Sequence, residues 1–103
     1  MAKPSMFVKL TAQPGKRPEL IAAFDTMLEA VAEEPGTEVY TVHLDNADEN
    51  SVWIFEAYAD DEALAAHCGS DAMKRLMGEL GSVLGDTPMI LAATTVHAGK
   101  GLA

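Results

Sequence analysis

The chain has 103 residues, of which 49% are hydrophobic, and a formal net charge of −9 from seven basic and sixteen acidic residues. This charge repels phosphate backbones and anionic lipid headgroups, so no nucleic acid is expected as a partner. No apolar run is long enough to cross a bilayer and no basic-then-apolar leader opens the chain, so we expect a cytoplasmic protein without membrane contact.

The first predicted elements are a strand and a long helix. Residues 7–11 alternate apolar and polar side chains after a loose leader, residues 1–5, and Pro14-Gly15 ends that strand. Apolar residues at spacings of three and four then predict one helix over residues 18–33. The predicted buried face of this helix holds Leu20, Phe24, Met27, Leu28 and Val31.

Two further strands are predicted to form a hairpin. Residues 37–44 and 52–58 are rich in β-branched and aromatic side chains, and the polar turn between them is too short for a crossover helix. Alternation along each strand sorts the side chains into two faces. In the second of these strands one face holds Trp53, Phe55 and Ala57, and the other holds Val52, Ile54, Glu56 and Tyr58.

The last elements are a helix in two pieces and a fourth strand. Asp60 is a predicted N-cap, Gly69 ends the first piece and Ser70 caps the second. The apolar stripe of the second piece comprises Met73, Leu76, Met77, Leu80 and Leu84. Residues 89–97 predict the final strand, and residues 98–103 a tail.

This order of elements, β-α-β-β-α-β, predicts an α+β fold of the ferredoxin-like type with a four-stranded antiparallel sheet. We expect one domain over residues 1–103, with its core between about 6 and 97. Helices cover one face of such a sheet, yet the third and fourth strands are apolar on both faces. The sequence therefore predicts a homodimer through the open sheet face, with a shared barrel-like core.

One stretch of the chain is similar to a known family. The run Trp53-Ile54-Phe55-Glu56-Ala57-Tyr58, followed by Asp60, Ala63, Leu64, His67 and Ser70, resembles the antibiotic biosynthesis monooxygenase domain. The turns Pro14-Gly15-Lys16 and Glu34-Pro35-Gly36 extend the resemblance over about residues 7 to 96. The resemblance implies a dimeric α+β barrel with a pocket between sheet and helices in each subunit.

The family implied by this resemblance is functionally mixed. It includes cofactor-independent monooxygenases of phenol-like or quinol-like substrates, haem-degrading enzymes, an isomerase of a phosphorylated signalling sugar, and members without a known activity. The position of the iron-ligating histidine of the haem-degrading branch is occupied here by Met77, and that branch carries a tryptophan where this chain has His67. Haem is therefore disfavoured, and the resemblance implies no cofactor.

Two other site types find little support. Cys68 is the one cysteine, and His43, His67 and His97 lack the close paired spacing of metal ligands, so no metal site is expected. An isomerase of a phosphorylated sugar would need a cationic pocket. The only cations placed to form one are Lys9, Lys74 and Arg75.

A cofactor-free monooxygenase needs an apolar cavity, a base for the phenolic proton and polar groups to hold the resulting anion. His67 is the predicted base because imidazole titrates near neutral pH. Glu56, if desolvated, would orient the histidine or act as base itself. The candidates to contact the substrate are Tyr58, Trp53, His43 and Phe24.

Structural roles for the same residues remain open from sequence. A histidine just before a helix-ending glycine often caps backbone carbonyls, and a buried glutamate often serves a hydrogen bond across the sheet or the dimer interface. If Glu56 lies with Tyr58 on the helix side of the sheet, a role in a pocket is favoured. If it lies at the dimer interface, a structural role is favoured. The alternative function is accordingly a non-catalytic small-molecule-binding or structural dimer of the same fold.

Overall fold

The structure is a computed structural model that describes residues 3–102; Met1, Ala2 and Ala103, which belong to the predicted leader and tail, lie outside the described residues. The elements in chain order are β1 (Lys3–Thr11), α1 (Arg17–Ala22), α2 (Asp25–Ala32), β2 (Thr37–Leu44), β3 (Ser51–Tyr58), α3 (Asp61–Cys68), α4 (Asp71–Leu80) and β4 (Met89–Thr95). Within the described part of the chain, no helix is long and apolar enough to cross a membrane.

The four strands form one antiparallel sheet in the order β2-β3-β1-β4, which confirms the predicted ferredoxin-like α+β fold. The sheet is open, with β2 and β4 at its edges. The hairpin of β2 and β3 places Tyr40 opposite Glu56 and His43 opposite Trp53. Directly paired residues share a face of an antiparallel sheet, so Tyr40 and Glu56 lie on the same side.

The first strand starts earlier than predicted. The predicted leader is wrong over residues 3–5, because β1 begins at Lys3 and pairs with β4 from Lys3 opposite Thr95. Pro4 lies at the second position of β1, where it stands opposite Thr94 of β4, and the pairing with β3 begins only at Ser5. Proline is found in strands near such ends.

The predicted single helix over residues 18–33 is wrong, because the structure has two helices interrupted at Ala23 and Phe24. The Phe24 N–H donates to the carbonyl of Ile21, a tighter turn than that of an α-helix. Phe24 is only 2% exposed and packs in the core. The predicted break of the second helix is confirmed, since Asp60 caps α3 through the Ala63 N–H and Ser70 caps α4 through the Met73 N–H.

The hydrophobic core lies between the helices and one face of the sheet. Its buried members are Leu10, Ala12, Leu20, Phe24, Met27, Val52, Ile54, Leu76 and Leu80. Val52 and Ile54 belong to the same face of β3 as Glu56 and Tyr58, as strand parity predicted. The other face of the sheet carries Phe7, Phe55, Met89 and Leu91, and of these Phe7, Met89 and Leu91 are exposed large hydrophobic residues.

Candidate active site

A buried carboxyl and a buried phenol meet on the helix side of β3. Glu56 is 7% exposed and Tyr58, two residues further along the same face, is fully buried. The Tyr58 hydroxyl donates a hydrogen bond of 2.5 Å to Oε1 of Glu56. A carboxyl at this depth needs such a donor, because an unpaired buried polar group costs free energy.

The imidazole of His67 comes to this pair from the last turn of α3. Its ring is 1% exposed and lies between the rings of Tyr40 and Tyr58, with centroid distances of 5.5 and 5.4 Å. Its Nε2 atom is 3.9 Å from Oε1 of Glu56 and has no hydrogen-bond partner among the residues described. The ring therefore carries one buried nitrogen that faces a carboxyl across a gap.

The other nitrogen of His67 is bound by the turn between α2 and β2. Nδ1 lies 3.0 Å from Oε1 of Glu34, and the same oxygen accepts a 2.6 Å hydrogen bond from the Thr37 hydroxyl. The register of β2 against β3 shifts between Thr37 and Val39, so Thr37 rather than Glu38 stands opposite Tyr58. This bulge turns Thr37 toward the helices and leaves Glu38 to pair with Lys3.

A cleft of about 360 Å³ opens beside this cluster. It is lined by residues 33–37 of the α2–β2 turn and by Ala63, Ala66, His67 and Ser70. The volume is near the lower end of the range for small-molecule sites, about 300–1,000 Å³. Gly36 lies so close to Ala63 that a methyl group on it would clash with the Ala63 Cβ, so the turn packs directly on α3.

The electrostatics of the cluster follow from its burial. Desolvation raises the pKa of Glu56, while the hydrogen bond from Tyr58 and the charge of His67 act in the opposite direction. Burial and the nearby carboxylates raise the pKa values of both Tyr40 and Tyr58. The two phenols therefore stay protonated at neutral pH, and the Tyr58 hydroxyl donates to Glu56.

Other residues singled out from sequence lie elsewhere in the fold. Trp53 and His43 face each other across the hairpin on the open side of the sheet. There the Trp53 indole N–H donates to Asp45, and His43 forms a hydrogen bond with Thr41. Phe24 belongs to the core. The structure thus brings His67, Glu56 and Tyr58 together, and it does not bring Trp53 or His43 to them.

Three residues of the cluster, Glu34, Thr37 and Tyr40, were not among the sequence candidates. The hairpin itself contained a signal for Tyr40, because it shares a face with Val42 and Leu44 and stands opposite Glu56. Glu34 had no comparable signal, since it lies 33 residues from His67 and only the tertiary fold joins them.

A larger and more polar hollow of about 690 Å³ lies at the β2–β3 loop, away from the cluster. Its cation, Arg17, donates to the backbone oxygens of Asp45, Asp48 and Ser51 and so holds the loop in place. The cations that an isomerase-like site would need are dispersed. Lys9 is on the open sheet face near Trp53, whereas Lys74 and Arg75 on α4 pair with Asp71 and Glu79.

Metal-binding and haem-related positions can also be located. Over residues 3–102, no three His, Cys, Asp or Glu side chains are grouped closely enough to hold a metal ion. Met77 occupies the position at which the haem-degrading branch of the family has its iron-ligating histidine, and it is 63% exposed on α4.

The sequence profile of the antibiotic biosynthesis monooxygenase family matches residues 5–79, a stretch that contains the whole cluster. The chain belongs to this family. A solved structure from Caulobacter crescentus, of a protein provisionally named an antibiotic biosynthesis monooxygenase, is 28% identical with a TM-score of 0.86 and covers 93% of this chain and 92% of its own.

Other solved structures share the fold at lower identity. A protein of unknown function from Nitrosomonas europaea is 24% identical with a TM-score of 0.84, over 100% of this chain and 98% of its own. A protein from Mycobacterium tuberculosis is 19% identical with a TM-score of 0.86, over 95% and 99% of the two chains. No curated protein matches the chain. These matches establish the family and the fold of the chain.

Proposed function

We propose that the protein is a cofactor-independent monooxygenase that oxidises a small aromatic compound of the phenol or quinol type with dioxygen. The observation that carries the proposal is the buried Nε2 atom of His67, which has no partner within residues 3–102 and faces Glu56 across 3.9 Å. A buried nitrogen without a partner is costly, and such groups are found where a ligand or a reaction uses them.

The first step is a proton transfer from the substrate hydroxyl to Nε2 of His67. The O–H bond breaks, its electron pair stays on the substrate oxygen, and the imidazole becomes an imidazolium. Glu34, at 3.0 Å from Nδ1, stabilises that positive charge as it forms. The products of the step are an ion pair of phenolate and imidazolium, so no net charge is created in the buried site.

The second step is the reduction of dioxygen by the substrate anion. Electrons from the electron-rich ring carbon reduce dioxygen and give a carbon-bound peroxide, which takes up the proton from His67. Loss of the proton on that carbon and cleavage of the O–O bond then release water and leave a quinone. One phenol and one dioxygen give one quinone and one water, so atoms and electrons balance without a further reductant.

The charge of the site selects against anionic substrates. Glu34 and Glu56 lie on either side of His67, and the whole chain carries a formal net charge of −9. Because the pKa of Glu56 is raised, more of its carboxyl group is protonated at a given pH than in an exposed glutamate. A protonated Glu56 donates a hydrogen bond to the developing phenolate, whereas an ionised one repels it.

We also propose that two chains associate through the open sheet face. Phe7 and Phe55 stack on this face with ring centroids 5.1 Å apart, yet Phe7 remains 40% exposed. On the edge strand β4, Met89 is 58% and Leu91 59% exposed on the same face. A contiguous apolar surface of this kind is typical of protein interfaces, and a second copy would cover it.

Oxygen consumption with α-naphthol tests the proposed reaction. We expect turnover to naphthoquinone, with one atom of oxygen-18 incorporated from labelled dioxygen. His67→Ala should lower kcat by roughly 10²- to 10⁴-fold, as for loss of a general base. His97→Ala, an exposed histidine after β4, is the matched control and should retain full activity.

Two results would count against the reaction. Equal turnover by wild type and His67→Ala would remove His67 from the mechanism. A protein that binds α-naphthol but consumes no oxygen with it, or with any of a panel of phenols and quinols, would favour the alternative function. That alternative is a non-catalytic small-molecule-binding dimer.

A further inference from the structure

We propose that Glu34 is a positioning residue that holds His67 in the tautomer protonated on Nδ1, so that Nε2 presents a free electron pair to the buried gap beside Glu56. The atoms that argue for this are a single carboxylate oxygen and its two neighbours. Oε1 of Glu34 lies 2.6 Å from the Thr37 hydroxyl and 3.0 Å from Nδ1 of His67.

The donors and acceptors at this oxygen can be assigned by elimination. An ionised carboxylate accepts hydrogen bonds and donates none, so a nitrogen at 3.0 Å from it has to carry a proton. The side chain of Glu34 is 24% exposed at the cleft, which keeps it in contact with solvent. The Thr37 hydroxyl donates a hydrogen bond to the same oxygen and so fixes the carboxylate in place.

The consequence for the far side of the ring is a buried acceptor. A neutral imidazole has one N–H, so a proton on Nδ1 leaves Nε2 with its lone pair. That lone pair is 3.9 Å from Oε1 of Glu56, beyond the range of a direct hydrogen bond. A hydroxyl oxygen to one side of the line that joins the two atoms could donate to Nε2, as the proposed proton transfer from a phenol requires.

The local backbone is built to hold Glu34 in this position. Glu34 precedes Pro35 and Gly36, and Gly36 packs against Ala63 on α3, the helix that carries His67. The Gly36 carbonyl also accepts from the Ala59 N–H, just after β3. The turn is therefore anchored to both elements that supply the cluster. Replacement of Gly36 would be expected to shift Glu34 relative to the imidazole.

The tautomer is a property of the resting protein, whereas its use in proton abstraction rests on the proposed function. The two are separated by measuring the ring nitrogens of uniformly ¹⁵N-labelled full-length protein without substrate. At a pH where His67 is neutral, we expect its Nδ1 resonance in the protonated range and its Nε2 resonance in the unprotonated range. His43, which forms a hydrogen bond with Thr41, and His97, which is exposed after β4, serve as internal references.

Variants then test whether Glu34 is the cause. Glu34→Ala should shift His67 toward protonation on Nε2, the tautomer that free histidine favours. Glu33→Ala, which removes a neighbouring carboxylate of the same cleft, should leave the wild-type tautomer. If turnover of α-naphthol is observed, Glu34→Ala should lower kcat by on the order of 10² to 10⁴ with a smaller change in KM, as for loss of the group that fixes a catalytic histidine.

The proposal would be overturned by a wild-type ring protonated on Nε2, or by an unchanged tautomer in Glu34→Ala. If that variant does not fold, the wild-type spectrum still decides the first point, and Glu34→Gln supplies the second. Its amide can donate to Nδ1 as well as accept from it, so a measurable fraction of His67 should become protonated on Nε2, and a spectrum identical to wild type would contradict the proposal. A confirmed tautomer in a protein that consumes no oxygen would leave the positioning role intact and remove only the proposed reaction.

Discussion

Nε2 of His67 and Oε1 of Glu56 lie 3.9 Å apart, and both side chains are buried. The separation is too long for a hydrogen bond, but a charge on His67 at this distance lowers the pKa of Glu56 and so opposes the effect of burial. On the other side of the imidazole, Nδ1 lies 3.0 Å from Glu34, which lines the cleft. Glu56 in turn accepts a hydrogen bond from the Tyr58 hydroxyl.

Glu56→Gln should change how stability depends on pH. Burial raises the pKa of Glu56 in the folded protein above its ordinary value of 4.5, so the folded state binds this proton more tightly than the unfolded chain. The stability contributed by Glu56 is therefore fully present below the unfolded-state pKa and is lost as the pH rises through the folded-state pKa. Glutamine does not titrate, so the free energy of unfolding of the variant should increase relative to that of wild type as the pH rises above about 4.5.

Urea unfolding at a series of pH values measures this difference. Glu33→Gln, at an exposed position near the same cleft, is the matched control for the loss of one carboxylate. A constant offset between Glu56→Gln and wild type would mean that Glu56 has the same pKa in the folded and unfolded states.

Tyr58→Phe should destabilise the fold by about 1–3 kcal/mol, the usual cost of leaving a buried polar group without its partner. The lost hydroxyl donates 2.5 Å to Oε1 of Glu56 and lowers the pKa of that carboxyl, so its removal should raise the Glu56 pKa further. Tyr40→Phe is the control, because the Tyr40 ring also packs on His67 but its hydroxyl donates no bond to Glu56. Equal losses in the two variants would contradict the importance of the Tyr58–Glu56 bond.

The local part of this site could be predicted from sequence. Strand parity is a property of the backbone, so Glu56 and Tyr58 had to share a face, although the apolar residues on both faces of the strand left open which face the helices cover. The cap at Asp60 likewise fixed where α3 begins and hence that His67 lies near its end. These inferences needed only periodicity and capping, which act within a few residues.

The tertiary part of the site could not be predicted in this way. The contact of Glu34 with His67 depends on how the α2–β2 turn packs against α3, and no periodic pattern reports such packing. The bulge at Glu38, which turns Thr37 toward the helices, depends on the pairing of two strands. The break at Phe24 was hidden because the apolar spacing continues through it, although the core then draws the ring inward.

Gly36→Ala should destabilise the protein by roughly 1–3 kcal/mol, the usual cost of overpacking. Its new methyl group would clash with the Cβ of Ala63, so the turn and α3 would have to separate. The double variant Gly36→Ala with Ala63→Gly removes the Cβ of residue 63 and with it the clash. It should recover part of the lost stability, although the new glycine itself destabilises the helix. Gly78→Ala is the control, since nothing lies within 4 Å of its added methyl group and alanine favours the helix.

Denaturant unfolding of wild type, Gly36→Ala, Ala63→Gly and the double variant decides this prediction. The coupling between positions 36 and 63 is the deviation of the double variant from the sum of the single variants. Additive effects would show that the turn does not pack on α3 as closely as the geometry requires.

Leu91→Glu should weaken the proposed dimer while leaving the fold of each subunit intact. Leu91 is 59% exposed on the open sheet face, opposite Phe7 in the pairing of β1 and β4. A carboxylate there would lose its hydration if a second sheet covered it, so the variant should shift toward monomer in sedimentation velocity at micromolar concentration. Ile90→Glu is a matched control on the same strand, since Ile90 is 61% exposed but points to the helix side. A wild-type monomer, or equal effects of the two substitutions, would contradict association through the open face.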